Sequence, residues 1–274
     1  MMSVQARNNV HVFGHGPITL VFAHGFGCDQ NMWRYVEPAF REGWRTVLFD
    51  LVGCGNSDLG AYEIDKYATM EGYAQDIIEI IDEFGEGTVV FVGHSVSAMA
   101  GVVAANLRPG LIQAHVMIGP SPCYINDGSY LGGFTREDID ALLETLESNY
   151  LGWSSAMAPA IMGAPEHPEH GIELTNSFCN TDPEIAKRFA RVTFLSDLRD
   201  EVARLSEPAL VIQSSDDFIA PMEVGEYLRD TLAQGHLAVV QNTGHCPHLS
   251  APHACIAAGV HVLLEEAVHR RDAR

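Results

Sequence analysis

Short runs of consecutive apolar residues alternate along this chain with longer stretches whose apolar positions recur every three to four residues. The runs at residues 18–23, 46–49, 88–92, 115–118, 209–212 and 237–240 are too short for helices and read as strands buried on both faces. Residues 4–7 and 10–13 flank Asn8-Asn9, a turn-forming pair, and predict a further two strands joined as a hairpin. Residues 70–84 carry Tyr73, Ile77, Ile80, Ile81 and Phe84 at helical spacing. Residues 97–106 and 253–268 read the same way, the latter with Ile256, Val260, Leu263 and Leu264 on one face. Strands alternating with helices predict an α/β chain: a mostly parallel eight-stranded sheet covered by helices on both faces.

The alternation stops between residues 122 and 206, where only helices are predicted. Thr135 is a suitable N-cap, with Asp138 three residues on. Residues 149–162 and 168–178 predict two more helices. Asp182-Pro183 opens a fourth, because Asp suits the N-cap and Pro the first helical position. Residues 122–206 are therefore expected to form a helical cap inserted into a core made of residues 1–121 and 207–274.

Composition narrows the function. Sixteen Lys and Arg against thirty-six Asp and Glu give a formal charge of −20, which disfavours binding to nucleic acid or an anionic membrane. No apolar run approaches the ~18 residues of a membrane span. The first residues lack the apolar stretch of a signal peptide, so the cytoplasm is the expected location. The six cysteines show no C-x-x-C spacing and read as free thiols.

Chemistry concentrates where predicted strands end. Val89-Val90-Phe91-Val92-Gly93-His94-Ser95-Val96-Ser97 is an apolar strand, a tight turn centred on Ser95, and the start of a helix. That is the context of a G-x-S-x-G nucleophile elbow, with Ser97 in place of the second glycine. A nucleophilic serine needs a base, and the base a carboxylate to orient it. The strand at 209–212 leads into Asp216-Asp217. Asp217 is preferred because it stands four residues before Pro221, in a D-x-x-x-P turn. After the last strand comes Gly244-His245-Cys246-Pro247-His248, where His245 is the expected base and His248 its rival.

The oxyanion of an acyl-transfer intermediate needs two backbone N–H donors. Val96 should give one, and Phe26, in the His24-Gly25-Phe26-Gly27 loop, the other. Gly53-Cys54-Gly55 is not continued as G-x-G-x-x-G, because Asp58 stands at its last position, so no nucleotide cofactor is expected. His245/His248 and His167/His170 each spell H-x-x-H, but spacing alone offers them no further metal ligand, and no metal is expected.

Taken together, the elbow, the HGFG loop, the D-x-x-x-P turn and the GHCPH turn resemble the α/β-hydrolase fold. Gly119–Asn126, Gly132-Gly133-Phe134, Asn149–Trp153 and Phe178–Pro183 further resemble the RsbQ-like proteins, a group similar to the plant receptors for karrikins and strigolactones. The resemblance implies four cap helices over an apolar pocket and an intact Ser-His-Asp triad. By matching positions it implies a pocket of Phe26, Val96, Tyr124, Phe134, Leu142, Trp153, Met157, Phe194 and Ile219. It also implies a small hydrophobic ester or lactone as ligand. Two roles follow from it: a serine hydrolase, or a slow-turnover sensor that acts through a partner phosphatase or other signalling protein, as in the stress response that the bacterial namesake regulates.

Overall fold

The computed structural model describes residues 3–164 and 166–259. Among the described residues seven strands form one sheet: β1 (His11–Phe13), β2 (Ile18–Ala23), β3 (Arg45–Phe49), β4 (Thr88–His94), β5 (Ala114–Ile118), β6 (Ala209–Asp216) and β7 (Gly235–Thr243). Their order is β1-β3-β2-β4-β5-β6-β7; β1 runs antiparallel to β3 and every other pairing is parallel.

The expected eighth strand does not form. Val4–Arg7 is instead a single helical turn, α1, whose N-cap Ser3 accepts a hydrogen bond from the Ala6 N–H. Four residues are too few to show a period, so the sequence could not separate a strand from a turn of helix here. Long-range contacts decide it. Arg7 reaches Asp76 and Glu79 on α2 (Met70–Phe84), and the Asp50 N–H donates to the Asn8 carbonyl, which leaves β1 to pair with β3 alone.

Parallel strands need crossovers, and the helices supply them. α2 and α3 (Val96–Leu107) are followed, between β5 and β6, by an inserted cap of four helices: α4 (Arg136–Ser148), α5 (Tyr150–Met162), α6 (Pro168–Asn180) and α7 (Pro183–Leu195). Their starts follow local chemistry. Thr135 and Asp138 form a reciprocal capping box at α4, and Asp182 accepts the Glu184 and Ile185 N–H groups at α7 behind Pro183. The short α8 (Arg199–Arg204) returns the chain to β6. α9 (Met222–Thr231) fills the β6–β7 crossover; Val224 and Leu228, one helical turn apart, are its buried face. α10 (Pro247–Ser250) follows β7, and residues 252–259 are helical. The remainder of the helix expected over 253–268, with Val260, Leu263 and Leu264, lies outside the described residues.

Strand residues alternate between two cores, which is why the strands read as unbroken apolar runs. Val21, Val47, Phe91 and Val211 face α2, α3 and α9 on one side; Leu20, Phe22, Val90, Val116 and Ile212 pack with Trp33 and Phe40 on the other. A third cluster joins the cap helices to the carboxyl ends of the strands through Phe26, Tyr124, Trp153, Phe178 and Phe194. Phe189 on α7 ties this roof to the core by stacking on Tyr73 of α2, with ring centroids 4.6 Å apart.

His115, at the start of β5, is buried, and neither ring nitrogen has a hydrogen-bond partner among the described residues. Burial pushes its pKa down from 6.5 to about 3. In the unfolded chain the imidazole takes up a proton below about pH 6.5, whereas the folded protein resists until about pH 3. Stability must therefore fall with acidification across that window, by about 1.4 kcal/mol per pH unit for this residue. His115→Leu should remove that contribution. Urea unfolding at pH 7, 5 and 4 should give a shallower acid loss for the variant, and parallel losses would refute the account.

Candidate active site

The residues singled out from the sequence for the triad and the oxyanion donors lie at or just after the carboxyl ends of strands. β4 ends at His94, and Ser95 follows with φ 56° and ψ −125°, one of two non-glycine residues with positive φ among the described residues. Such a conformation costs of order 1–3 kcal/mol and persists only where its surroundings impose it. The Ser95 N–H donates to the Ile118 carbonyl on neighbouring β5 at 2.8 Å. Gly93 supplies the room: a Cβ there would lie 2.6 Å from the backbone of Ala98. Ser97, where the motif has glycine, is fully buried and donates its hydroxyl to the His24 carbonyl, so it ties the elbow helix to the loop after β2.

β7 delivers the imidazole. His245 Nε2 lies 2.8 Å from Ser95 Oγ, and its Nδ1 lies 2.7 Å from Asp217 Oδ2. The other carboxylate oxygen of Asp217 accepts the backbone N–H groups of Ile219 at 2.9 Å and Ala220 at 3.2 Å. Both of its oxygens are thus engaged and its orientation is fixed. Asp216 is exposed on β6 and contributes only its carbonyl, which accepts the Gly244 N–H at 2.7 Å. His248 does not reach Ser95. It is fully buried, its ring 4.4 Å from that of His94 and 4.8 Å from that of Trp33.

The base loop is also held from above. The His245 N–H donates to the Ile161 carbonyl of α5 at 2.8 Å. Gly244, at φ +106°, lies so close beneath α5 that a Cβ would come 1.9 Å from the Met162 carbonyl oxygen. From below, His94 Nε2 donates to the His245 carbonyl at 3.0 Å. Burial, followed by the imidazoles of His248 and His245, holds His94 well below the usual histidine range. Burial, with smaller effects from His245 and Arg34, pushes His248 down to about 3. Both rings are therefore neutral near pH 7 and add no positive charge beside His245.

The Phe26 and Val96 N–H groups have no acceptor among the described residues. Both belong to the turns that flank Ser95, the one after β2 and the one opening α3.

A cavity of about 30 Å³ lies over Ser95. Of the pocket residues expected from the sequence, Phe26, Tyr124, Phe194 and Ile219 line it, while Val96, Phe134, Leu142, Trp153 and Met157 do not. Trp153 stands one layer back, stacked on Phe178 with centroids 5.6 Å apart.

A family model described as the alpha/beta hydrolase family matches residues 20–258. This chain belongs to the alpha/beta hydrolase family. It is 40% identical to a karrikin insensitive 2 receptor of Petunia hybrida over 254 residues, 92% of this chain and 94% of the relative. It is 38% identical to a strigolactone esterase of Arabidopsis thaliana over 245 residues, 89% and 91% of the two chains. Among solved structures, a hydrolase from Oleispira antarctica superposes with a TM-score of 0.92 at 40% identity, covering 95% of this chain and 96% of the other.

Sequence reasoning missed several walls of this hydrolase's cavity: Cys28, Ile161, Leu174, Phe178, Thr193 and Cys246. Leu174 and Phe178 carried a usable signal, since they stand one helical turn apart on the buried face of α6. Cys28 and Cys246 carried only proximity, next to the HGFG loop and to His245. Burial raises both thiols well above their ordinary range, so they act as small apolar walls and not as nucleophiles. Tyr124 is pushed up to about 12, mainly by burial, with the Ser95 hydroxyl beside it pulling the other way, so its phenol stays protonated. No Lys or Arg lines the cavity, and no helix among the described residues is long and apolar enough to cross a membrane.

Proposed function

We propose that this protein is a serine hydrolase that cleaves a small hydrophobic ester or lactone through an acyl-enzyme. The observation that carries this reading is the unbroken hydrogen-bond chain Ser95–His245–Asp217, with links of 2.8 and 2.7 Å, at the floor of an apolar cavity. His245 Nε2 takes the Ser95 proton as Oγ attacks the carbonyl carbon. Asp217, held by two backbone N–H groups, keeps Nδ1 protonated and stabilises the imidazolium. The Phe26 and Val96 N–H groups receive the oxyanion. The C–O bond to the leaving alcohol then breaks and His245 returns the proton to that oxygen. Water repeats the sequence on the acyl-enzyme and releases Ser95. The esterase named among the relatives supports the same reaction class. The cavity's lack of cationic side chains favours an uncharged substrate.

A second role is supported by the size of the cavity. About 30 Å³ holds roughly one water molecule, whereas small-molecule sites span roughly 300–1,000 Å³. A ligand must therefore displace the aromatic side chains that α6 and α7 bring over Ser95. Occupancy is then coupled to the shape of the cap, the coupling that a ligand-sensing protein offers to a phosphatase or other signalling partner.

Four outcomes are expected. Ser95→Ala should lower kcat on p-nitrophenyl acetate and on butenolide lactones by ~10⁴–10⁶-fold. Asp217→Asn should lower it by ~10⁴-fold, while Asp216→Asn stays close to wild type; the reverse ranking would transfer the orienting role to Asp216. Phe194→Ala should move the preferred p-nitrophenyl ester to a longer acyl chain, each newly buried methylene adding up to ~0.8 kcal/mol to kcat/KM discrimination. An unchanged chain-length profile would place the acyl group elsewhere. On Ser95→Ala protein, a saturating butenolide should change amide hydrogen exchange in α6 and α7. If protection there stays constant while the ligand binds, the sensing role fails and the hydrolase reading stands.

A further inference from the structure

The connection between α5 and α6 brings together three side chains that the hydrolytic reaction does not use. One potential ligand atom from each of His167, Glu169 and His170 lies within 4.8 Å of the others. His167 Nδ1 is 3.0 Å from Glu169 Oε1, and the rings of His167 and His170 are 5.5 Å apart at 41°. Local chain geometry produces the cluster. His167 is the N-cap of α6, Pro168 fixes its first turn, and the His170 N–H closes that turn on the His167 carbonyl at 3.1 Å. Residues three apart on a helical turn share a face, and Glu169 stands between them.

His170 points to a missing partner. Its residue is 91% buried, from a relative exposure of 9%, and its Nδ1 is fully buried with no hydrogen-bond partner among the described residues. Buried polar nitrogens are nearly always satisfied, and His170, which carries this orphan, also offers one ring nitrogen within 4.8 Å of a second imidazole and a carboxylate, a donor set that a metal ion completes. His167 and Glu169 remain open to solvent, at side-chain exposures of 55% and 63%, so an ion has access. Sequence spacing alone gave the H-x-x-H pair no further ligand; the fold supplies one in Glu169.

We propose that His167, Glu169 and His170 form a zinc-binding site, with solvent completing the coordination. Two imidazoles and one carboxylate suit Zn²⁺ better than the oxygen-seeking Mg²⁺ or Ca²⁺. The site follows the last turn of α5, which carries Ile161, whose carbonyl receives the His245 N–H. A bound ion ties the N-cap of α6 to its first turn and stiffens the start of that helix.

The test is equilibrium dialysis of the full chain against zinc chloride, with metal content measured afterwards and thermal unfolding recorded with and without zinc. The wild type should retain one equivalent and gain in Tm. His167→Ala and Glu169→Ala, both exposed and thus tolerant of substitution, should each weaken zinc retention at least ~10-fold and lose the Tm gain. His236→Ala, on β7, should behave as wild type. Zinc content at background in the wild type, or equal retention in the wild type, His167→Ala and Glu169→Ala, would overturn the site.

Discussion

The left-handed backbone of Ser95 is the constraint on which the site depends. A parallel strand at the centre of a sheet must leave through its carboxyl end, and here it turns into α3 within one residue. That turn lifts the serine hydroxyl clear of the sheet edge, and it holds only because three neighbours give way or hold on. Gly93 lacks a side chain where Ala98 passes, the Ile118 carbonyl takes the Ser95 N–H, and Ser97 binds the His24 carbonyl. The last contact explains why serine is accepted where the motif has glycine. Its hydroxyl adds a hydrogen bond between the elbow and the neighbouring loop, and a satisfied buried hydroxyl is compatible with a tight interior.

From this fixed point the site is assembled by independent elements that meet only in three dimensions. β6 sets Asp217, and the turn after it freezes the carboxylate by offering backbone N–H groups. β7 sets His245, whose own N–H and carbonyl are taken up by α5 above and His94 below. The base is thus clamped through its backbone as well as its ring. Because one clamp belongs to the cap, movement of α5 is felt at the imidazole directly. The neutral His94 and His248 layer beneath is compatible with this arrangement, since charged imidazoles there would repel a protonated His245.

The cap does more than cover the serine. Phe26 from the core loop meets Trp153, Phe178, Phe189 and Phe194 at centroid distances between 5.4 and 6.2 Å, so Phe26, Phe178 and Phe194 close over the site with Trp153 and Phe189 packed behind them. Edge-to-face and tilted rings interdigitate with little waste of volume, and the small cavity over Ser95 is the result. Substrate selection in such a site depends on how these rings separate as much as on what they touch.

The sequence by itself determined the elements and their order: the apolar runs, the helical periods, the capping residues of the cap helices, and the strand-end positions of Ser95, Asp217 and His245. These are local properties, written in side-chain spacing and turn chemistry. Its weakest points were equally local in origin. Val4–Arg7 is too short for its period to speak, and α9 has only two strong apolar anchors, Val224 and Leu228, to announce it. Tertiary structure alone decided which apolar residues touch the cavity and which stand behind, and it sets Asp217 against the imidazole and His245 against the serine, the members of each pair that the sequence already favoured. Each of those choices depends on where a strand ends relative to its neighbours, and on how rings from separate helices divide one volume. Such quantities arise only when segments far apart in sequence are brought into contact.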